Sequence, residues 1–589
     1  MFCGRRPLKR EKPQVKILLL HPEDGFQPFA AERWDLVVDL ARAPLSCYKN
    51  WGESSRCPVL SLCDLAIEID DLHATRIMLQ AGMGKLADRF GIDWWNVLSL
   101  GVVPELQQLM LLRRLAERID PGSHLHLSRP TPLGNMLAVL VSGQLVNRQL
   151  GFQRAWSAAA RPVRAFSNLD RQQLLQVLFD KFDSQHRLRR RIARRVRSLD
   201  LPVVLLPSAY VNVSRTEVAY ARLLPEQPFL LVHARKSGRL REMPPNVSAV
   251  SLDSFFASPD KSELKELLSA WKILRRHLIT NTEEFRGASW ILDRMPGLLG
   301  WGIPIRDAWR RVFERNNISA CLCADDSNPY TRIPLILSRL RRLPSLSCHH
   351  GALDAWMAFK FDGVHTHLAQ SQMEVDYLLN CCRVESENIV LGAPDSGPVP
   401  ATNSDGNAAG WLAFFTEPYH SAGWRSTEVY RELLPRLWRL ARRCGLQLVL
   451  KLHPFDSVRH IRKQLKRSLA DEEAKSVKVI AGRLSPGQWQ KIRFAVTVES
   501  TIALECSQRA IPVLLCAWLR DARFGYVSQF ARYGFGRVLG SVEELDTIPH
   551  LLGNADSLPV RAAVPIGKAR LAALLNAKTE SRMSEAVAG

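Results

Sequence analysis

Three short stretches with polar residues stand where predicted β-strands end, and their side chains can bind anions and exchange protons. They are CHHG at 348–351, KLH at 451–453 and STIALE at 500–505. Imidazoles exchange protons near neutral pH. Hydroxyls and free backbone N–H groups at the start of a helix suit a phosphate. These residue types predict acid/base chemistry beside an anionic ligand.

Each stretch also has a purely structural interpretation. Ser500 alone is a common helix N-cap, and a histidine that follows a buried strand is often a hydrogen-bonded core residue. The adjacent His349 and His350 can ligate a metal, but no third ligand stands at a convincing spacing, so we predict no metal site.

The elements that must position these residues follow from the hydrophobic pattern. Short apolar runs that predict strands alternate with segments whose apolar residues have helical spacing. This alternation predicts an α/β fold with parallel sheets. Asp325 and Asp326 follow the predicted strand 319–324, and Thr416 follows the strand 411–415. Because ligands bind outside the carboxyl ends of parallel strands, Asp326 and Thr416 join the candidate residues.

The domain organisation follows from composition. Residues 395–410, DSGPVPATNSDGNAAG, are rich in Pro, Gly, Ser and Asn and predict a linker. We therefore expect two doubly wound domains, 15–394 and 411–575, with a helical insertion at about 130–200 in the first. Residues 1–14 and 576–589 are expected to be a basic tail and a disordered tail. A long apolar helix is predicted near 137–146.

The charge is strongly positive. The 589 residues include 80 Lys and Arg against 58 Asp and Glu, a formal net charge of +22 that favours an anionic partner. Seven arginines fall in Arg187–Arg197 on a predicted amphipathic helix, which can lie on an anionic membrane surface; a solvated charged face is the alternative. No apolar run reaches the roughly 18 residues of a membrane span, and the N-terminus lacks a signal-peptide core. We expect a cytoplasmic protein that can associate with the inner face of the membrane.

Five segments in order resemble a known family. They are SCHHGALD (347–354), QMEVDYLL (372–379), VLGAPD (390–395), VLKLHP (449–454) and VTVESTIALECSQRAIPVLL (496–515). The chain thereby resembles bacterial GT-B-type glycosyltransferases of surface and capsular polysaccharide synthesis. Related groups are the CDP-glycerol glycerophosphotransferases, the capsule polysialyl- and Kdo-transferases and, more distantly, UDP-N-acetylglucosamine 2-epimerase. The resemblance covers about residues 315–520, and Glu499 departs from its pattern.

The resemblance implies a GT-B-like fold, in which two Rossmann-like domains face a cleft. The C-terminal domain would bind a nucleotide-sugar donor and the N-terminal domain the acceptor. The donor-binding residues implied are Lys451, His453, Ser500, Thr501, Glu505 and Thr416. The catalytic residues implied are His350, His349 and Asp326.

The predicted function is transfer of a sugar from a nucleotide-activated donor to a cell-surface polysaccharide or glycolipid. No cofactor and no metal are expected; the nucleotide-sugar is a co-substrate. One alternative is a CDP-polyol phosphotransferase or a UDP-sugar 2-epimerase on the same scaffold. A second is a basic nucleic-acid-binding protein, and a third is a scaffold without activity. No zinc knuckle or RNA-binding strand motif supports nucleic acid as the partner.

Overall fold

The architecture is taken from a computed structural model of the full chain. It describes residues 15–20, 29, 32–40, 57–61, 65, 67–127, 131–147, 199–235, 240, 242–257, 260–351, 359–394, 410–417, 426–453, 456–498, 500–519, 530–548 and 564–577. The predicted basic tail, the Arg187–Arg197 helix, most of the 395–410 linker, most of the C-terminal tail and Glu499 lie outside these residues.

The first unit, residues 15–147, is a five-stranded parallel sheet. Its strands are β1 (Lys16–Leu20), β2 (Leu36–Asp39), β3 (Val59–Ser61), β4 (His124–Leu127) and β5 (Gln144–Asn147), in the order β3-β2-β1-β4-β5. Its helices are α1 (Ile69–Gln80), α2 (Trp95–Leu98), α3 (Val103–Ala116) and α4 (Pro132–Leu140). The predicted helix near 137–146 is wrong in its second half. The helix ends at Leu140, Ser142 adopts a positive φ of 48°, and β5 follows.

The second unit, residues 199–394, is a seven-stranded parallel sheet in the order β12-β11-β10-β9-β6-β7-β8. Its strands are β6 (Leu199–Ser208), β7 (Phe229–His233), β8 (Val247–Ser251), β9 (Asn316–Cys323), β10 (Ser345–Ser347), β11 (Thr366–Ala369) and β12 (Ile389–Leu391). Its helices are α5 (Val211–Ala221), α6 (Lys261–Asn281), α7 (Glu283–Gly287), α8 (Met295–Arg315), α9 (Pro329–Leu340) and α10 (Gln372–Asn380).

The third unit, residues 410–548, is a six-stranded parallel sheet in the order β15-β14-β13-β16-β17-β18. Its strands are β13 (Trp411–Phe415), β14 (Gln447–Lys451), β15 (Lys478–Ile480), β16 (Ile492–Thr497), β17 (Val513–Cys516) and β18 (Arg537–Leu539). Its helices are α11 (Ser426–Arg443), α12 (Val458–Ser468), α13 (Asp471–Ser476), α14 (Pro486–Trp489) and α15 (Ile502–Gln508). All five residues of β13 are buried, as expected of a parallel strand covered on both faces.

The predicted α/β fold of doubly wound parallel sheets is confirmed. The sheet orders show that the range 15–394, expected as one domain, contains two sheets rather than one. The chain then returns to the second unit after the third. Helix α16 (Lys568–Leu575) buries Leu571 and Leu575 in the core of the second unit, and Ile566 donates its N–H to the Ala393 carbonyl at 2.9 Å.

A buried charge network joins the first unit to the second. Arg306 on α8 is fully buried and donates to Asp88 of the first unit at 2.6 Å, as well as to Glu263 and Asp307. Burial opposes the charge of Arg306, but the three carboxylates outweigh that effect and raise its pKa. The Trp94 indole also donates to Asp88, at 3.0 Å. These contacts fix the first unit on the helices of the second.

Candidate active site

The strand orders place a ligand crevice in both the second and the third unit. In the second unit the chain runs from β6 toward one edge of the sheet and from β9 toward the opposite edge. In the third unit it does the same from β13 and β16. Such switch points in open parallel sheets are where ligands bind, outside the carboxyl ends of the strands. The predicted site residues cluster at these two edges.

Three polar side chains meet at the switch point of the second unit. Tyr210 follows β6, Asp325 follows β9 and His350 follows β10. The Tyr210 hydroxyl donates to Asp325 Oδ2 at 2.8 Å and lies 3.0 Å from His350 Nε2. His350 Nδ1 lies 3.1 Å from the Ala324 carbonyl oxygen. The residues form an acid/base cluster that the sequence located only in part.

The three contacts of this cluster need three protons, and with a neutral His350 only two are present. A carbonyl oxygen only accepts, so the Nδ1 facing Ala324 must carry a proton. Tyr210 has a single proton for two contacts, and it donates to Asp325. The Nε2 lone pair of His350 therefore faces a phenolic oxygen. Burial lowers the pKa of His350, although the charge of Asp325 opposes this. A neutral imidazole so placed is a proton acceptor.

Asp326 lies in a buried ion pair with Lys360. It is fully buried, accepts from the Lys360 ammonium at 2.8 Å and from the Phe361 N–H at 2.9 Å. Burial raises its pKa, but the charges of Lys360 and Arg332 outweigh burial and lower the pKa to about 2. A carboxylate held ionised in a buried ion pair is a weak base. Its neighbour Asp325 is the carboxylate that meets the histidine.

His349 and Gly351 form the part of the second unit that approaches the third. His349 is buried, and its carbonyl accepts from the Gln370 amide at 2.6 Å. A Cβ on Gly351 would lie 3.8 Å from Thr501 Cγ2 of the third unit and 3.7 Å from His349 Nε2. The cleft between the two units is therefore narrow at this turn.

On the other side of the cleft, a hydrogen-bond network fixes the turn after β14. The Thr416 hydroxyl donates to Asp456 and accepts from the His453 N–H at 3.0 Å. The Asp456 N–H donates to the His453 carbonyl at 2.9 Å. Burial raises the pKa of Asp456 to about 6, although the Thr416 and His453 contacts oppose this. Thr416 thus fixes the backbone of His453 through a hydrogen bond to its N–H.

Cations from both units gather at this turn. Burial and the charge of Arg215, on α5 of the second unit, lower the pKa of Lys451 to about 8. Desolvation and the charge of Arg483 lower the pKa of Arg215 in turn. Glu505 is the anion that opposes both effects. We call Arg215, Lys451 and Arg483 the cation cluster, because their like charges act on one another across the two units.

Ser500 and Thr501 stand at the start of the short helix α15. The Ser500 hydroxyl accepts from the Ile502 N–H at 3.3 Å, which is a capping role.

The structure brings Lys451, Glu505 and Thr501 to the same cleft as His350. Arg215, Arg483, Tyr210 and Asp456 were missed. Tyr210 follows a predicted strand end, which is the signal that could have found it.

Among the described residues, no three His, Cys, Asp or Glu side chains are grouped so as to hold a metal ion. Within the same residues, no helix is both long and apolar enough to cross a membrane.

Comparisons with known proteins gave structural likenesses only. No protein-family model and no curated protein matches the sequence. A UDP-GlcNAc 2-epimerase from Neisseria meningitidis bound to UDP-GlcNAc aligns with 64% of this chain and 97% of its own, at 11% identity and a TM-score of 0.37. The wall teichoic acid polymerase TagF aligns with 70% of this chain and 97% of its own, at 8% identity and a TM-score of 0.35.

The spinosyn rhamnosyltransferase SpnG, in complex with spinosyn aglycone, aligns with 64% of this chain and 97% of its own, at 14% identity and a TM-score of 0.32. At such scores, a function for this chain has to rest on the residues of its own cleft.

Proposed function

We propose that the protein is a glycosyltransferase that moves a sugar from a nucleotide-activated donor to an acceptor hydroxyl. The observation that carries the proposal is the pairing across one cleft of a proton-accepting cluster and a cation cluster. The second unit supplies Tyr210, His350 and Asp325. The third unit supplies Lys451 and Arg483, and Arg215 reaches them from the second unit.

The donor would place its phosphates against the cation cluster. Lys451 and His453 stand at the carboxyl end of β14, next to the switch point of the third unit. His453 is held by Thr416, while Ser500 and Thr501 border the same edge. Glu505 would accept from ribose hydroxyls, as the family resemblance implies. As the bond from sugar to phosphate breaks, negative charge grows on the leaving nucleotide, and fixed cations stabilise that charge.

The acceptor would lose its proton to the cluster of the second unit. In this scheme the Tyr210 hydroxyl turns its proton from Asp325 to His350 Nε2 and passes it on, while the acceptor hydroxyl gives its own proton to the Tyr210 oxygen. The acceptor oxygen bonds to the sugar carbon as the bond from that carbon to the phosphate oxygen breaks. Asp325 then faces an imidazolium, whose charge it stabilises. These steps use side chains of the chain itself, and we propose a metal-independent reaction. His349 closes the cleft beneath Gly351 and takes no proton in this scheme.

The proposed acceptor is a cell-surface polysaccharide or glycolipid, on the strength of the family resemblance. Nucleotide recognition is tested first, by thermal unfolding with UDP, CDP, CMP, GDP and their sugar conjugates. A ligand at about a hundred times its dissociation constant adds about 2.7 kcal/mol of stability. Lys451→Ala should abolish the shift, while Lys478→Ala, at the start of the neighbouring strand β15, should retain it. No shift with any nucleotide would overturn the proposal.

A UDP-sugar 2-epimerase is the second candidate, because a base such as His350 can also remove a proton from carbon. Incubation of the protein with UDP-GlcNAc in deuterated water separates the two activities. Deuterium at C2 of the sugar, without an acceptor, would support the epimerase. A CDP-polyol phosphotransferase would use the same cation cluster, and it would be recognised by release of CMP from a CDP-polyol as the polyol phosphate passes to the acceptor.

A further inference from the structure

The outer face of the third unit carries a row of exposed cations. On helix α12 the residues Ile461, Gln464 and Leu465 are buried, and the opposite side exposes five basic side chains. These are Arg459, Arg462, Lys463, Lys466 and Arg467. At about 100° per residue they span an arc of roughly 140° on one side of the helix. Helix α12 contains no acidic residue.

The row has no partner within the described part of the chain. None of its five side chains forms a salt bridge with a described residue. Two of the three acidic residues of α13 are engaged nearby, because Glu472 pairs with Lys475 and Glu473 accepts from the Ala470 N–H. Like charges at these helical spacings repel one another. The repulsion falls when an anion covers the row.

Helix α11 extends the row into a surface. Helices α11 and α12 pack side by side over the same face of the sheet, with Leu433 and Leu437 of α11 and Ile461 of α12 in one core. Arg431, Arg439 and Arg442 of α11 are exposed, and none forms a salt bridge with a described residue. By contrast, Arg436 and Arg443 are paired with Asp546. We call the eight exposed cations of α11 and α12 that form no salt bridge with a described residue the basic face.

We propose that the basic face docks on an anionic lipid surface. Helices packed side by side lie about 8–10 Å apart, and α12 has a length of about 16 Å. A plane of headgroups can touch both rows of cations at once, whereas a nucleic-acid backbone follows a single curved track. Trp438 of α11 is partly exposed, but it already donates its indole N–H to Ser476 and has the Arg442 guanidinium over its ring.

The position of the face relative to the cleft supports this partner. Ser457 caps α12 by accepting from the His460 N–H, and Asp456 just before it bonds to the His453 turn. The row of cations therefore begins at the cleft edge and leads away from it along the outer side of the sheet. A surface docked here would hold the cleft beside the headgroups.

The test is co-sedimentation of the full chain with vesicles of phosphatidylcholine, with or without phosphatidylglycerol. The test variant replaces Arg462, Lys463, Lys466 and Arg467 by Gln. The matched control replaces Lys261, Lys265, Lys272 and Arg276 of α6, which are also exposed, and changes the net charge equally. Each near-surface cation contributes about a factor of five to binding, so the test variant should bind at least about a hundredfold more weakly.

We expect the wild type and the α6 variant to bind only vesicles that contain phosphatidylglycerol. Binding should disappear as salt rises from about 0.1 M to about 1 M, because the Debye length shortens from about 10 Å to about 3 Å. Equal losses in the two variants would mean that net charge alone is responsible, and unchanged binding in the test variant would mean that another surface is. Either result overturns the proposal. Preferential binding to duplex DNA or RNA at equal phosphate concentration would overturn it in favour of nucleic acid.

Discussion

Replacing Arg306 by Met should destabilise the protein more than any exposed arginine substitution. Arg306 is fully buried and holds Asp88 and Glu263, which are themselves buried. Asp88 keeps other donors, the Phe90 and Ile92 N–H groups at 2.9 and 3.0 Å. Glu263 would keep Arg89, at 3.4 Å and largely exposed. Removing one partner of a buried ion pair costs about 3–5 kcal/mol.

The control is Arg310→Met, one turn further along α8. Arg310 pairs with Glu314 at 3.0 Å and is partly exposed. An exposed pair contributes about 0.2–1 kcal/mol, and the guanidinium over the Phe90 ring adds about 0.5–1 kcal/mol. Guanidinium unfolding followed by tryptophan fluorescence measures the free energy of unfolding, and the buried Trp94, Trp95 and Trp309 of this region contribute to the signal. A free-energy loss for Arg306→Met no larger than that for Arg310→Met would refute the role of this network.

Two further predictions concern the cleft, and a third concerns the buried Glu374 of the second unit. Tyr210→Phe keeps the ring beside His350 but removes the relay oxygen, so the turnover number should fall about a hundredfold with little change in KM; a loss confined to KM would contradict the relay. Nucleotide affinity, measured by calorimetry, should fall with pH above about 8 as Lys451 loses its proton, at up to about tenfold per pH unit; a flat profile would contradict a phosphate contact. Burial raises the pKa of Glu374 to about 7 in the folded protein. The protonated side chain therefore stabilises the folded state at pH values below the pKa of the unfolded chain, and this stabilisation is lost as the pH rises to about 7. Glu374→Gln should therefore gain stability over the wild type above pH 7, by up to about 3 kcal/mol, and not at pH 4; denaturant unfolding at the two pH values checks this.

The fold could be predicted from the sequence where a strand consists of a continuous run of apolar residues. The strand Trp411–Phe415 is a continuous apolar stretch, and its bounds agree with the structure. Strands of mixed composition such as Val247–Ser251 and Thr366–Ala369 were missed, because burial of polar side chains depends on neighbours that a sequence does not reveal. The same limit hid the third sheet, since the order of strands is set by tertiary packing.

The site could be predicted wherever a functional side chain directly follows a strand. His350 and Thr501 were predicted in this way, whereas Lys451, the last residue of β14, was implied by the family resemblance. The structure places all three at one cleft. Arg215 could not be found, because it lies on a helix of one unit and meets Lys451 of another only through the packing of the two. Asp325 and Asp326 show a second limit. Adjacent carboxylates point to different sides of the chain, and burial and the Lys360 contact assign their roles.

The most direct test of the proposed function is calorimetric binding of the nucleotide that stabilises the protein, measured with the wild type, Arg215→Gln and Arg222→Gln. Both arginines belong to the α5 region, but Arg222 follows the far end of the helix. If the ligand lies between the two units, Arg215→Gln should weaken binding about tenfold or more, a loss of at least about 1.4 kcal/mol, and Arg222→Gln should bind like the wild type. Unchanged affinity in Arg215→Gln would contradict a donor site shared by the two units.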